Sequence, residues 1–171
     1  MAADPPAAVA RTEGFLRQLG LSDSSGGGSA FLPSGAGGGA GDKDFYSRLV
    51  RSLLSVRSLH PRGRVLCSLS VPSALANPYN TLHGGAVAAV AEAVALACAR
   101  AVAGDREFFL GESATSYLSA ARVGMEMEVE GRVLRKGKSV IVTSVEFRIK
   151  ETGRLSYTSR LTFYVMPVAS M

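Results

Sequence analysis

An α+β fold, in which a curved antiparallel sheet wraps one long central helix, is what this sequence predicts, and two observations carry the prediction. The run from Gly84 to Ala103 is apolar on almost every side, so as a helix it must be enclosed. Downstream of it, apolar and polar residues alternate through successive segments, the pattern of half-buried antiparallel strands whose apolar face needs a cover. Helix and sheet each supply what the other lacks.

The strands follow from the period-2 pattern. Met125, Met127 and Val129 alternate with Glu126, Glu128 and Glu130. Val145, Phe147 and Ile149 alternate with Glu146, Arg148 and Lys150, and Leu155, Tyr157, Leu161, Phe163 and Val165 share one face of the last strand, interrupted by Ser159. Tight breaks at Arg122 to Gly124, Lys136-Gly137-Lys138 and Glu151-Thr152-Gly153 are each short enough for a hairpin. With a further strand near Phe108 to Ser119, this gives a meander of four strands after the helix. Before the helix, Val65, Cys67, Leu69 and Val71 mark one more strand, bounded by Pro61 and Gly63.

Upstream the composition changes twice. Val9, Phe15, Leu16 and Leu19 fall on one side of a helix, a short peripheral element. Residues 22–41 are crowded with Ser and Gly and read as a flexible linker, too poor in apolar surface to offset the entropy of ordering it. Phe45, Leu49, Leu53 and Leu54 then recur at helical spacing, an amphipathic helix ahead of the core. The expected organisation is an N-terminal segment, 1–41, followed by one globular domain, 42–171.

A hydrophobic share of 47% over 171 residues is enough for a real core. The formal charge of +5 favours anionic partners. It does not favour nucleic acid, because the basic residues are scattered, Trp is absent and no aromatic-basic interleave occurs. Cys67 and Cys98 lie in apolar runs without zinc or disulfide spacing and read as buried thiols. A transmembrane span would have the length of the Ala-rich run, roughly 30 Å as a helix. Alanine is weakly lipophilic, however, and Glu92 would cost about 2.5 to 3.5 kcal/mol at mid-bilayer, so no stable membrane insertion is expected. The first 23 residues lack the pattern of a secretory signal or an acid-poor transit peptide, which points to a cytoplasmic protein, with an organelle such as peroxisome, mitochondrion or plastid left open.

The residues suited to chemistry cluster around the start of the long helix. Gly84 and Gly85 fit a helix N-terminus, whose unpaired N–H groups can bind an oxygen gaining negative charge and whose missing Cβ atoms admit a close approach. Glu92 is the one carboxylate of the run; the alternative is a side chain that simply reaches solvent at a helix edge. It lies nine residues beyond His83, roughly 13 Å along a straight helix and half a revolution out of phase. The two cannot meet on one carbonyl within one chain, whereas a two-fold dimer with antiparallel central helices would pair Glu92 of one subunit with the Gly84 end of the other. His83 and Asn77 are otherwise ordinary loop residues. The basic tip Arg135-Lys136-Gly137-Lys138-Ser139 suits phosphates or a solvated turn; five residues separate Gly131 from Gly137, one too many for a phosphate loop. No Gly-x-Ser-x-Gly elbow is present.

The sequence Asn77-x-x-x-Thr81-Leu82-His83-Gly84-Gly85 with an acid at position 92, together with Ser116-Tyr117-Leu118-Ser119, Lys136-Gly137-Lys138-Ser139 and Thr143-Ser144-Val145, resembles the PaaI-like branch of the hotdog-fold acyl-CoA thioesterases. The likeness runs from about Arg64 to Val165. It implies a hotdog fold and hydrolysis of a coenzyme A thioester, with no cofactor beyond the coenzyme A of the substrate. It further implies Glu92 as nucleophile or general base, the Gly84 N–H as the donor that polarises the carbonyl, and His83 and Asn77 as orienting groups. Gly85, Tyr117, Leu118, Ser119, Arg122, Arg135, Lys136, Gly137, Lys138 and Ser139 would line the groove for the pantetheine arm and nucleotide. A homodimer, or a homotetramer of two such dimers, is the implied assembly. Where many relatives place a Ser or Thr on the strand before Ser-Tyr-Leu, this chain has Leu110 or Gly111, which bears on rate, water positioning and substrate preference. The same fold also serves non-catalytic acyl-CoA binding modules and dehydratases or hydratases.

Overall fold

The computed structural model describes residues 5–18, 53–104 and 106–166. Two helices, α1 (Pro5–Gln18) and α2 (Gly84–Ala103), accompany six strands: β1 (Leu54–His60), β2 (Arg64–Ser70), β3 (Phe108–Tyr117), β4 (Glu126–Lys136), β5 (Val140–Ile149) and β6 (Leu155–Val165). The strands form one antiparallel sheet in the order β1-β2-β4-β5-β6-β3. Residues 22–41 and 45–52, where the sequence suggests a linker and most of an amphipathic helix, lie outside the described residues.

Alternation decides which face is inside. Met127 and Val129 on β4 are fully buried while Glu126 and Glu128 beside them are exposed, and Val145 and Phe147 on β5 are buried opposite Gly131 and Val129. With Cys67 and Leu69 from β2 and Leu161 and Phe163 from β6, they form a layer that receives Val87, Val90, Ala91, Val94 and Cys98 of α2. The small side chains let the helix sit close. At Gly131 the fit is tightest: a Cβ there would stand 2.6 Å from Val94 Cγ1 and 2.7 Å from Cys98 Sγ, so only glycine is accommodated. Both cysteines are free and buried. Burial pushes the Cys67 thiol up to about 12 and raises that of Cys98 as well, so neither is a nucleophile near neutral pH.

The opposite face is polar, with Arg64 paired to Glu130 at 2.8 Å and Glu146 held between Arg132 and Arg148 at 3.0 and 2.8 Å. The curved sheet around the helix is the hotdog architecture. α2 is long and apolar enough to cross a membrane by length and composition, yet its sheet-facing side is taken up by the core. α1 packs against α2 and β1.

Three features depart from the sequence pattern. Residues 54–60 form a strand, β1, where periodicity carries Leu54 into a helix; a bulge between Val56 and Ser58 breaks the alternation that would have marked it. β3 pairs with β6 at the sheet edge and not with β4, so the meander is three strands long. The break at Arg122 to Gly124 is therefore no hairpin. Residues 118–125 cross the end of the sheet from one edge strand to β4, and this crossing brings them against the loop that precedes α2.

Candidate active site

Two loops meet at the N-terminal end of α2. Residues 71–83 approach from β2, and the crossing segment 118–125 approaches from β3. Leu82 N–H donates to the Ala121 carbonyl at 2.9 Å, Val123 N–H to that of Asn80 at 3.0 Å, and Gly124 N–H to that of Val71 at 2.8 Å. Beneath them the buried Tyr157 hydroxyl accepts from Ala121 N–H at 3.0 Å; desolvation raises its pKa above the ordinary phenol value and keeps it neutral.

Asn77 shapes the first loop. Its Oδ1 accepts from Tyr79 N–H, Thr81 N–H and Thr81 Oγ1–H at 3.0, 3.2 and 3.1 Å, a side chain standing in for a backbone turn. The turn is tight enough to hold Asn80 at φ +57°. Asn77 thus sets the path by which the chain enters the helix.

His83 is the N-cap of α2. Its backbone is extended, at φ −62° and ψ 134°, and its Nδ1 accepts from Gly85 N–H at 3.0 Å. The His83 carbonyl takes the N–H groups of Ala86 and Val87 at 2.9 and 3.1 Å. Of the four donors that a helix start leaves unpaired, three are accounted for. Among the described residues the Gly84 N–H has no partner, at the end of the helix where the macrodipole places about half a positive charge. Tyr117, exposed at the end of β3, lies against this point. Its hydroxyl donates to the Gly84 carbonyl at 3.1 Å, and a Cβ on Gly84 would touch its ring at 3.3 Å. Leu118 and Ser119 follow, both N–H groups donating to the Ser156 carbonyl at 2.9 and 3.1 Å, and Arg122 is exposed beside Thr81.

The structure therefore gathers Asn77, His83, Gly84, Gly85, Tyr117, Leu118, Ser119 and Arg122 at one end. It does not bring the other candidates there. Glu92 is exposed on α2 about 12 Å along the axis from Gly84. It shares an uncovered stripe of the helix with exposed Gly85 and half-buried Ala89 and Leu96. Arg135, Lys136, Gly137, Lys138 and Ser139 form the β4–β5 turn at the far end of the helix, about 30 Å away. There the Lys136 ammonium donates to the Val102 carbonyl, and Arg106 donates to the Lys138 carbonyl at 2.7 Å. The described residues contain no cluster of His, Cys, Asp and Glu suited to a metal ion.

The positions that depart from the family pattern have structural explanations. Leu110 packs against the core, and Gly111 lies where the β3–β6 register slips by one residue. A Cβ on Gly111 would run into the Tyr164 ring at 2.2 Å. After the slip, Ser113 and Thr115 stand opposite Leu161 and Ser159 on the helix-facing side, with Thr115 Oγ1 and Ser159 Oγ at 2.9 Å. Alternation read without the bulge would have turned these hydroxyls outward. Gly111 inside a strand pattern was the one signal of it.

Comparison with known proteins bears on the family and the fold. Residues 79–156 match the thioesterase superfamily model. Acyl-coenzyme A thioesterase 13 of Homo sapiens is 31% identical over 103 residues, 58% of this chain and 71% of that one. The chain spans 63% to 71% of the length of the curated relatives it matches. The crystal structure of zebra fish thioesterase superfamily member 2 superposes with a TM-score of 0.70 at 22% identity, over 90% of this chain and 95% of that one. The E. coli PaaI protein superposes with a TM-score of 0.59 at 14% identity, over 65% and 82%.

Proposed function

The chain belongs to the PaaI-like group of the thioesterase superfamily, and from that premise we propose that it hydrolyses acyl-coenzyme A thioesters to a free acid and coenzyme A. The observation that carries the mechanism is the Gly84 N–H at the start of α2, which has no partner among the described residues. A thioester carbonyl that accepts from it is polarised, and the negative charge that builds on its oxygen during attack faces a fixed donor and the positive end of a helix. Glu92 supplies the electron pair, either by taking a proton from the attacking water or by attacking the carbonyl carbon itself. In both routes the thiolate of coenzyme A leaves and is protonated; in the second, water then hydrolyses the acyl–Glu92 anhydride to the free acid and restores the carboxylate.

Glu92 cannot reach a carbonyl held at Gly84 of its own chain, so the site needs a second copy. Two features favour that assembly. β3 is a ten-residue edge strand with one side unpaired and most of its residues exposed, the kind of edge a further strand completes. Among the described residues, the stripe of α2 that carries Glu92 is the most exposed part of the helix. An antiparallel pair of such helices brings Glu92 of each copy toward the Gly84 end of the other, and carries the basic β4–β5 turn of one copy in the same direction. Arg135 and Lys138, both exposed, then suit the phosphates of the nucleotide. A homodimer is the smallest complete assembly, and a homotetramer would hold two of them.

A dehydratase of this fold would use its histidine as a base. His83 Nδ1 is already occupied by Gly85 N–H, which favours hydrolysis. Thiol release from short, long and aromatic acyl-CoAs tests the proposal: Glu92→Gln lowers kcat by about 10²- to 10⁴-fold, without unfolding the chain because the side chain is exposed. Undiminished turnover in that variant would sink the mechanism.

A further inference from the structure

Tyr117 and Gly84 are 33 residues apart in sequence, yet a hydrogen bond joins them. The Gly84 carbonyl, which accepts from Tyr117 Oη at 3.1 Å, and the Gly85 N–H, which donates to His83 Nδ1 at 3.0 Å, are the two ends of one planar peptide unit. Two hydrogen bonds thus run head to tail from a phenol, through a peptide, to an imidazole. Aligned bonds of this kind polarise one another, strengthening each by ~10–30%.

The direction of the chain fixes where the imidazole proton sits. A ring nitrogen that accepts from an N–H carries no hydrogen, so neutral His83 must hold its proton on Nε2. His83 is exposed, which leaves Nε2–H free to face a bound molecule. We infer that His83 serves the site as a hydrogen-bond donor through Nε2–H, and that Tyr117 is the positioning residue that locks this tautomer through the Gly84–Gly85 peptide. This rests on the thioesterase reading. It divides the labour more sharply: the helix start offers two donors, Gly84 N–H and His83 Nε2–H, and the Glu92 carboxylate of the second copy is the base or nucleophile. His83 takes no proton from water.

Tyr117→Phe isolates the relay, because it removes the hydroxyl while keeping the ring against Gly84 and edge-on to Tyr157, 5.8 Å between centroids. The chain has two histidines, His60 and His83, so nitrogen-15 NMR of the full chain carrying His60→Gln shows one imidazole. With the imidazole neutral, His83 is expected with a bare Nδ1 and a protonated Nε2. In Tyr117→Phe the Nδ1–H tautomer becomes populated, and kcat falls about three- to tenfold, the cost of one ordinary hydrogen bond, with KM unchanged. Finding His83 protonated on Nδ1 in the parent overturns the inference, as does a tautomer that ignores Tyr117→Phe, or a change in KM alone. Absence of thiol release in the parent would sink the thioesterase reading instead, while the NMR result still judges the relay.

Discussion

At its C-terminal end α2 runs into a glycine turn and a lysine cap, and at its N-terminal end one backbone donor is left over among the described residues. Past Ala103 the chain turns with Gly104 at φ +71°, the Gly104 N–H returns to the Arg100 carbonyl at 3.2 Å, and the Lys136 ammonium donates to the carbonyl of Val102. A cation there also complements the negative pole of the helix. At the other end His83 caps with its ring and its carbonyl together, and the Gly84 N–H is left over. Both ends solve the same problem of unpaired backbone groups. The N-terminal end, which leaves one donor unused among the described residues, is the end where two loops, glycines and an exposed tyrosine converge, an arrangement suited to the proposed chemistry.

Removing the leftover donor is the largest perturbation of that contrast. Gly84→Pro does so with little harm to the helix, since proline suits the first helical position and His83 already has the extended backbone that a following proline requires; its Cβ also presses the exposed Tyr117 ring at 3.3 Å, so Gly84→Ala, which adds the same Cβ but keeps the N–H, is the control. The expected result is a 10²- to 10³-fold loss of kcat, the usual effect of deleting one oxyanion donor, with far-UV circular dichroism retained. The C-terminal end should respond differently. Lys136→Met removes the side-chain cap and a basic group of the turn, so denaturant unfolding should show a loss of about 0.3–1 kcal/mol. KM should rise while kcat at saturation holds. If Lys136→Met instead abolished kcat, the two ends would not be functionally distinct.

How much of this was legible in the sequence depended on the range of the interaction involved. The strands of β4, β5 and β6 announced themselves because Met127, Val129, Val145 and Phe147 alternate with charges over unbroken registers. α2 was equally plain from its apolar run and the paired glycines at its start. Where one residue slips, the signal fails: the bulge after Val56 hid β1, and the slip at Gly111 reversed the faces of Ser113 and Thr115. The position of β3 beside β6 was illegible for a different reason, since pairing of distant strands leaves no local periodicity. The site was read in the same proportion. Gly84 and Glu92 stand out by type and spacing, and their separation was calculable from helix geometry alone. The Asn77 turn is local, held within residues 77–81, but an Asn in a turn is ordinary and does not announce a role; the Tyr117 hydrogen bond depends on where β3 is placed, which is again long-range pairing.

In the proposed mechanism one copy of α2 does not suffice: the Gly84 donor of one copy works with Glu92 of another. Mixing Glu92→Gln with Gly84→Pro tests it most directly. Each variant alone is inactive by expectation, while a heterodimer holds one site with both parent residues and one with neither. A randomly exchanged equimolar mixture should therefore regain about one quarter of the parent activity by two-fold symmetry. Mixtures in which heterodimers have formed, verified by mass, but which release no more thiol than the separate variants would contradict the shared site.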